Sequence, residues 1–386
     1  MKKKIAVVIT ARASYARIKT FLKSVSRSKK NKLYIILNSS SILEKYGDIS
    51  KILNKDGLKV YHKSFTSLDG TNLSSQVKTT ALNMIDLSLL FKKINPDIVI
   101  TIADRFETLA TAITAAYLNI PLGHIQGGEI SGSIDEKVRH SITKLSDYHF
   151  VSTKKSRINL IKMGESEKKV FLTGCPSIDL VKNIKNLKLN FDPIKKYGGI
   201  GPKIDFKKNY IVVMQHPVTT KYKNSSKQID ETIKAIEKLN VQTIWMWPNI
   251  DVGTDIISKK LRQFREKNKN LKIHFFKNFS PEDFIKLCFN SKILIGNSSL
   301  GIRESSYLGI NVINIGDRQI GRERGNNIID VDYDHKQIIN AAKNYLKGKK
   351  RSTRSKLYGS GGAGQKILNI INKEKLTYSK ILKFKF

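Results

Sequence analysis

The stretch HIQGGEISGSIDEKVRH, residues 124–140, concentrates side chains that can transfer protons. It continues the apolar run NIPLG, so its histidines and carboxylates come at the end of a predicted buried strand. Positioned imidazoles and carboxylates are the usual general acids and bases. Ser133 and Glu136 have the spacing of a capping box, which predicts that a helix starts there. Asp135 has no capping role, and the helix dipole favours its ionised form; a solvated helix start is the alternative.

Further polar clusters follow other apolar runs of the chain. Asp104 and Arg105 lie in ADRFE, His216 follows IVVMQ, and Ser298 and Ser299 lie in GNSSLGIRE. In doubly wound sheets, ligands bind outside the carboxyl ends of the strands, so these clusters are expected to line a binding region. The alternatives are a surface salt bridge between Asp104 and Arg105 and an ordinary serine cap on a helix.

The basic residues of these clusters could neutralise an anion. The chain of 386 residues has 70 lysines and arginines against 32 aspartates and glutamates, a net charge of +38. Because the lysines are scattered, a biased composition on solvated faces is the alternative explanation. No basic segment is interleaved with aromatic residues, so we expect a nucleotide diphosphate as the partner and no nucleic acid. The side chains that could bind it jointly are Arg12, Arg105, His216, Arg303 and Arg318.

Alternating strands and helices must position these clusters. Continuous apolar runs such as KIAVVIT, PDIVITI and KILIGN are typical of parallel strands buried on both faces. Segments of helical length lie between them, which predicts an α/β protein with two doubly wound, Rossmann-like domains that face each other around a ligand cleft. The length also favours two domains. Because residues 183–208 break the pattern, we expect a first domain at 1–185, a second at 186–360, and a C-terminal helix and tail at 361–386.

The sequence argues against metal, redox and membrane functions. Cys175 and Cys288 are the only cysteines, so no disulfide framework or cysteine-based metal site is expected. The segment at 359–364 fits G-x-G-x-x-G, but no predicted strand precedes it, and we expect a glycine-rich hinge before the last helix. No other motif indicates a metal or cofactor, so we expect neither. The first apolar run is short for a secretion signal, and none reaches the ~18 residues that span a bilayer, so we expect a cytoplasmic protein without membrane insertion.

Segments along essentially the whole chain resemble one enzyme family. These segments are ADRFE, HIQGGE, GSIDEKVRHSITKLSDYHF, TGCPSID, GNSSLGIRE and GDRQIGRERG. Together they resemble the hydrolysing UDP-N-acetylglucosamine 2-epimerases of sialic-acid biosynthesis. The resemblance implies a GT-B fold, no metal or nicotinamide cofactor, and a homo-oligomer, either a dimer or a tetramer. It also implies conversion of UDP-N-acetylglucosamine (UDP-GlcNAc) to N-acetylmannosamine and UDP.

The implied reaction explains the residue types. Anti elimination of UDP gives a 2-acetamidoglucal, and syn addition of water inverts C2, so both steps need proton donors and acceptors. The resemblance assigns acid–base work to Asp104 and Asp135, diphosphate contact to His216 and ribose contact to Glu304. The wider catalytic set is Asp104, Asp135, Glu136, His216, Gln126 and Glu129. The substrate-binding set is Arg12, Arg105, Arg139, His216, Asn249, Ser298, Ser299, Glu304 and Arg318.

Gln126 departs from the family pattern, which has a catalytic glutamate at this position. An amide cannot act as a base, so Glu129 or another carboxylate takes over, the substrate differs, or the enzyme is weakened or inactive. Relatives that act on UDP-2,4-diacetamido-2,4,6-trideoxy sugars for legionaminic acid share most of these motifs. A GT-B glycosyltransferase and an RNA-binding protein are further alternatives. Substitution of Asp135 distinguishes the glycosyltransferase from the epimerase, because only the epimerase needs paired carboxylates near C2. A steep salt dependence of RNA binding would indicate the RNA-binding protein.

Overall fold

The chain folds into two compact units in the computed structural model. The second unit contains Ile130–Ser133 and Ile184–Leu357, and the first unit contains the rest of the chain. The chain therefore leaves the first unit after Asn183 and returns to it at Tyr358. Residues 384–386 of the expected C-terminal tail lie outside the described residues. The structure describes residues 1–44, 48–68, 72–348 and 351–383.

The first unit is built on seven parallel strands. They are β1 (Lys3–Ile9), β2 (Asn31–Asn38), β3 (Val60–Ser64), β4 (Ile98–Ile102), β5 (Leu122–Ile125), β6 (Tyr148–Val151) and β7 (Val170–Leu172). Their order in the sheet is β3-β2-β1-β4-β5-β6-β7, and neighbouring strands are parallel. The helices are α1 (Arg12–Arg27), α2 (Ser50–Lys55), α3 (Leu73–Ile94), α4 (Thr108–Tyr117), α5 (Ile134–Leu145), α6 (Lys154–Lys162) and α7 (Pro176–Lys182).

The second unit repeats this design with six parallel strands. They are β8 (Ile211–Met214), β9 (Thr243–Met246), β10 (Ile273–Phe276), β11 (Ile293–Gly296), β12 (Val312–Ile315) and β13 (Ile328–Val331), in the order β10-β9-β8-β11-β12-β13. Its helices are α8 (Pro193–Tyr197), α9 (Ser225–Leu239), α10 (Thr254–Lys267), α11 (Pro281–Asn290), α12 (Ser299–Ile302), α13 (Glu304–Leu308) and α14 (His335–Lys347). The last helix, α15 (Ala363–Lys373), belongs to the first unit again.

The strands that the continuous apolar runs predicted are observed. All five residues of β4 are buried, because helices cover both faces of the sheet. Alternate residues of β1 supply two separate apolar cores: Ile5 and Val7 pack on one side, and Ala6 and Val8 on the other. A third core forms around Trp245 in the second unit.

Two strands were not predicted, and each lies at the edge of its sheet. β3 reads VYHKS and β13 reads IIDV, and most of their residues are only partly buried. An edge strand pairs on one side only and tolerates polar and charged side chains. The resulting mixed pattern gives no continuous apolar run to recognise.

The glycine-rich segment precedes the last helix, as expected. Gly362 caps α15 with a positive φ of 83°. The carboxylate of Asp179 in α7 accepts hydrogen bonds from the backbone N–H groups of Ala363 (2.9 Å) and Gly364 (2.8 Å). It also accepts one from the Thr20 hydroxyl of α1 at 3.1 Å. Asp179 therefore satisfies the first turn of α15 and joins it to α7 and α1.

The two cysteines form no disulfide. Cys175 and Cys288 are buried free thiols, one in each unit. Burial raises the pKa of the Cys288 thiol, so this side chain is protonated and inert. No helix in the described part of the chain is long and apolar enough to cross a membrane.

Candidate active site

Each sheet reverses its direction of winding beside its first strand. β1 lies between β2 and β4, and β8 lies between β9 and β11. Such a switch point opens a crevice outside the carboxyl ends of the strands. Arg12 and Asp104 follow β1 and β4, and His216 and Asn297 follow β8 and β11. The predicted polar clusters at Asp104, His216 and Ser298 therefore lie at the switch point of their own sheet, and the cluster at 124–140 follows β5, the strand next to β4.

The central contact of the first unit is a buried ion pair between Asp104 and Arg139. Arg139 is fully buried, and only 5% of Asp104 is exposed. Nη2 of the guanidinium donates a short hydrogen bond to Oδ2 of Asp104. Nη1 of Arg17 lies 4.0 Å from Oδ1 of the same carboxylate. Buried charges are stable only when they are paired and hydrogen-bonded, and this pair meets both conditions.

Arg139 also holds two other parts of the opening stretch. Its Nη1 donates to the backbone oxygen of Glu129 at 2.9 Å and to Oε2 of Glu136 at 2.7 Å. Burial alone would lower the pKa of Arg139, but the charges of Asp104 and Glu129 outweigh it and raise that pKa. The guanidinium therefore stays charged. Since Asp104 faces this permanent cation, its carboxylate form is favoured.

The first turn of α5 adds two acidic residues to this group. Asp135 and Glu136 are both partly buried, and the negative charge of Asp135 acts on Arg139. Oε1 of Glu136 lies 2.8 Å from Nε2 of His140, while its other oxygen binds Arg139. Glu136 therefore has ion-pair contacts beyond the helix-start role expected of it. The carboxylates of Asp104, Asp135 and Glu136 are grouped around one guanidinium.

Arg105 forms its ion pair with Glu107, a residue that sequence reasoning did not single out. Nε and Nη2 of Arg105 lie 3.1 Å from the two carboxylate oxygens. Glu107 is only 1% exposed, so this bidentate contact fixes the guanidinium firmly. Glu107 is part of the quoted motif ADRFE and could have been found there. Arg12 is the first residue of α1, the helix that follows β1, and is partly buried.

Gln126 has an unusual backbone conformation for a residue with a side chain. Its φ of 68° lies in the left-handed region, and it is 1% exposed. Its backbone N–H donates to the Phe150 oxygen of β6 at 3.0 Å, and its Nε2 lies 2.9 Å from the Cys175 sulfur. Backbone strain of this kind clusters at functional sites. Gln126 is therefore well positioned, but its amide cannot exchange a proton as a carboxylate would.

His124 supports the turn that carries Asp104, and the sequence did not reveal this role. Ala103, just before Asp104, also has a left-handed φ of 63°. Nε2 of His124 lies 2.8 Å from the Ala103 oxygen, so the neutral ring with its proton on Nε2 donates to it. Burial of the ring, more than any charge, lowers the pKa of His124 from 6.5 to about 3. His124 is therefore neutral at physiological pH.

In the second unit, Asn297 fixes His216 through both of its backbone groups. The His216 N–H donates to Oδ1 of Asn297, and Nδ2 of Asn297 donates to the His216 oxygen, each at 2.8 Å. The backbone N–H of Asn249 donates to Nδ1 of His216 at 3.3 Å. Because Nδ1 accepts, the proton of the neutral ring lies on Nε2. His216 can therefore donate a hydrogen bond from Nε2.

The backbone oxygen of Asn297 accepts hydrogen bonds from two more side chains. Nη1 of Arg318 donates to it at 3.2 Å and Nε2 of Gln319 at 2.8 Å. The Arg318 oxygen in turn accepts from the backbone N–H of Gly132 at 3.2 Å. Asn297 is fully buried and was missed by the sequence analysis, although it is the first polar residue after β11. Its position in the quoted GNSS was the available signal.

The remaining predicted residues of the second unit lie close in sequence to Asn297. Ser298 caps α12, with the Leu300 N–H donating to its hydroxyl at 3.4 Å, and Ser299 begins that helix. α12 has only four residues, so little helix dipole is available to an anion. Glu304 is 8% exposed, and within the described residues its Oε2 has no hydrogen-bond partner. A buried carboxylate oxygen in this state favours a ligand that donates hydrogen bonds.

A separate group of side chains has spacing that suits a metal ion. Glu231, Asp334 and His335 in the second unit offer ligand atoms within 4.8 Å of one another. These groups already have other partners. Lys234 lies 2.7 Å from Glu231, and Asp334 caps α14 by accepting from the Gln337 N–H. None of the predicted site residues belongs to this group.

Comparison with known proteins identifies the family. The sequence profile described as UDP-N-acetylglucosamine 2-epimerase matches residues 23–372. The chain belongs to the UDP-N-acetylglucosamine 2-epimerase family. It is therefore an enzyme, a UDP-sugar 2-epimerase, and the resemblance that its motifs carried is confirmed.

Two relatives of this epimerase differ in the substrate that their names give. The UDP-N,N'-diacetylbacillosamine 2-epimerase (hydrolyzing) of Legionella pneumophila is 32% identical over 378 residues, which cover 96% of each chain. The UDP-N-acetylglucosamine 2-epimerase of Neisseria meningitidis is 30% identical over 339 residues, 88% of this epimerase and 86% of the relative.

A solved structure confirms the fold class. The UDP-GlcNAc 2-epimerase from Neisseria meningitidis, bound to UDP-GlcNAc, matches 96% of this epimerase and 100% of that chain with a TM-score of 0.79 and 18% identity. At this identity the likeness shows the fold alone. It confirms the predicted GT-B class with its two doubly wound sheets.

The neutral state of His124 makes the first unit sensitive to acid. A histidine with a lowered pKa in the folded state contributes stability that is present above pH 6.5 and is lost as pH falls towards 3. Between pH 7 and 5 we expect His124 to account for a loss of about 2 kcal/mol in the free energy of unfolding. His124→Gln, which can keep the hydrogen bond to Ala103, is expected to remove that share of the pH dependence.

Urea unfolding at pH 7 and pH 5, followed by hydrogen exchange of peptides from β4 and β5, measures this effect. Exchange is the suitable probe because both tryptophans, Trp245 and Trp247, lie in the second unit. His62→Gln is the matched control, since His62 is partly exposed on the edge strand β3. An unchanged pH dependence in His124→Gln would contradict the assignment.

Proposed function

We propose that this epimerase hydrolyses a UDP-2-acetamido sugar with inversion at C2. Loss of the C2 proton forms a C1=C2 double bond as UDP leaves C1 with the electrons of the C1–O bond. Water then adds across the double bond, placing its hydroxyl on C1 and a proton on the opposite face of C2. The buried Asp104–Arg139 pair gives the main support, because a carboxylate held in one position away from bulk water is suited to proton transfer.

Three carboxylates carry the proton transfers in this proposal, those of Asp104, Asp135 and Glu129. Asp104 is kept ionised by Arg139, and Asp135 lies in the first turn of the helix that contains Arg139. The amide of Gln126 contacts Cys175 and cannot serve as a base. Glu129, which is 5% exposed, has its backbone held by Arg139. We assign to Glu129 the proton transfer that a glutamate at position 126 would perform.

The second unit supplies the groups suited to a nucleoside diphosphate. His216 can donate from Nε2 to a phosphate oxygen as negative charge develops on the leaving group. Arg318 supplies a positive charge, and its guanidinium is held by the backbone oxygen of Asn297, the residue whose side chain also holds His216. The unpartnered Oε2 of Glu304 suits the hydroxyl donors of a ribose. The remaining substrate-binding assignments in this proposal are Arg12, Arg105, Asn249, Ser298 and Ser299. Arg139 is fully buried against Asp104 and Glu136, so we assign it to the positioning of these carboxylates and not to substrate binding.

The sugar that we favour is UDP-N,N'-diacetylbacillosamine. The Legionella relative, whose name gives this substrate, matches over 96% of both chains. The Neisseria relative supports UDP-GlcNAc, the substrate that the motifs imply, as the second candidate. Both sugars carry the 2-acetamido group and the C2 proton that the mechanism needs.

Proton NMR in D2O distinguishes these reactions. With UDP-N,N'-diacetylbacillosamine we expect UDP and a free 2-epimeric sugar that carries deuterium at C2, because solvent supplies the proton added in the second step. Turnover of UDP-GlcNAc is expected to be slower. Free sugar that retains its C2 proton would contradict elimination. If both nucleotide sugars stay intact until an acceptor is added, the protein is a glycosyltransferase and the proposal is wrong.

Substitution of Asp135 tests the acid–base assignment. Asp135→Asn keeps the shape of the side chain but removes the proton acceptor, so we expect kcat to fall about 10²–10⁴-fold. UDP binding, measured by calorimetry, is expected to be unchanged. Lys137→Gln is the matched control, because Lys137 is exposed on the same helix. If Asp135→Asn lost no more activity than this control, Asp135 would have no part in the chemistry.

A further inference from the structure

A lysine from the C-terminal tail segment, residues 374–383, lies at the end of the helix that carries Asp135. Nζ of Lys380 donates to the backbone oxygens of Thr143 (2.8 Å), Lys144 (3.0 Å) and Ser146 (2.7 Å). These oxygens belong to the last turn of α5 and the residue just beyond it. Lys380 is separated from them by more than two hundred residues in sequence.

This contact supplies what the end of a helix lacks. The last carbonyl groups of a helix have no partner within the helix and carry the negative end of its dipole. An ammonium group offers three donors and a positive charge, which answers both needs. The Lys380 side chain is only 19% exposed, so water competes weakly for these oxygens.

Glu165 balances the charge of Lys380. Its Oε2 lies 2.7 Å from Nζ of Lys380 and 3.0 Å from Nε2 of His149, and its Oε1 lies 3.3 Å from Nζ of Lys144. Burial would raise the pKa of Glu165, but the hydrogen bonds from His149 and Lys380, together with the charge of Lys380, lower it to about 2. A buried ionic group of this kind is specific in geometry, because each member needs the others.

The same group extends through the sheet towards Asp104. His149 in β6 is paired in register with His124 in β5. His124 in turn binds the Ala103 oxygen, next to Asp104. Lys380 thus contacts the helix that carries Asp135 directly, and through Glu165 and His149 it is linked to the sheet that carries Asp104.

The tail segment is held in place by further contacts. The Tyr148 hydroxyl donates to the Lys375 oxygen at 3.1 Å and accepts from the Thr377 N–H at 2.9 Å. Nζ of Lys169 lies 3.2 Å from Glu374, and the Lys383 N–H donates to the Gly164 oxygen at 2.9 Å. The match to the family profile ends at residue 372, before all of these tail residues.

We propose that Lys380 is a positioning residue, and that the tail segment fixes the C-terminal end of α5 so that Asp135, Glu136 and Arg139 keep their places at its other end. α5 has twelve residues and is about 18 Å long, so a shift of its last turn moves its first turn as well. The expected effect on catalysis rests on the proposed function of Asp135 and its neighbours. The statement that Lys380 fixes the C-terminal end of α5 does not.

Lys380→Met in the full chain is the direct test, because it removes the charge and keeps the length of the side chain. We expect kcat to fall roughly tenfold or more, because the acid–base groups on α5 would no longer be aligned with the reacting atoms. KM for the UDP sugar is expected to change less than about twofold. We also expect amide exchange in the last turn of α5 to speed up roughly tenfold. Lys380→Arg, which keeps the charge, is expected to recover most of the lost kcat.

Lys383→Met is the matched control, since Lys383 is an exposed lysine of the same tail segment. If Lys380→Met fails to fold, Glu165→Gln tests the same contact with a smaller change, and faster exchange in α5 with lower kcat is again expected. A loss of kcat without faster exchange in α5, or faster exchange without loss of kcat, would overturn the positioning role. Wild-type protein inactive on both UDP sugars would overturn the proposed function instead, and the exchange measurement would still test the contact.

Discussion

The buried ion pair of Asp104 and Arg139 is the constraint on which the candidate site depends. Each charge has the other as its main partner in the interior, so the turn after β4 and the helix α5 must meet at one geometry. The same guanidinium binds Glu129 and Glu136, which fixes the loop between β5 and α5. A single side chain therefore sets the spacing of the carboxylates. The large number of lysines in the chain does not contribute to this arrangement, because the cation that orders the carboxylates is the fully buried Arg139.

Support for this pair comes from residues that do no chemistry themselves. His124 holds the turn before Asp104 in a left-handed conformation, and Lys380 completes the far end of α5. Asn297 has the equivalent place in the second unit, where its side chain fixes His216 and its backbone oxygen binds Arg318. In both units a polar residue just beyond the end of a central strand is immobilised by buried hydrogen bonds. Fixed geometry of this kind is what proton transfer and charge stabilisation require.

The fold was largely predictable because its central strands are continuous apolar runs, and only the polar edge strands β3 and β13 escaped recognition. Residues of the candidate site were predictable where they follow such strands, as Asp104 and His216 do. The ion-pair partners of these residues could not be predicted. Asp104 is adjacent to Arg105 in sequence, yet its buried contact is with Arg139, thirty-five residues away. Lys380 is a lysine among many, and sequence alone cannot show that it lies at a helix end. Gln126 was noticed as a departure, whereas its left-handed backbone could be seen only in the structure.

A double-mutant cycle on Asp104 and Arg139 tests the central claim most directly. Asp104→Asn and Arg139→Met are each expected to cost about 3–5 kcal/mol in the free energy of unfolding of the first unit, because each removes the main partner of a buried charge. The double variant is expected to cost clearly less than the sum, while UDP release stays about 10²–10⁴-fold below wild type. Additive costs would contradict the pairing as the structural constraint. A double variant that regained both stability and UDP release would contradict the role of Asp104 in proton transfer.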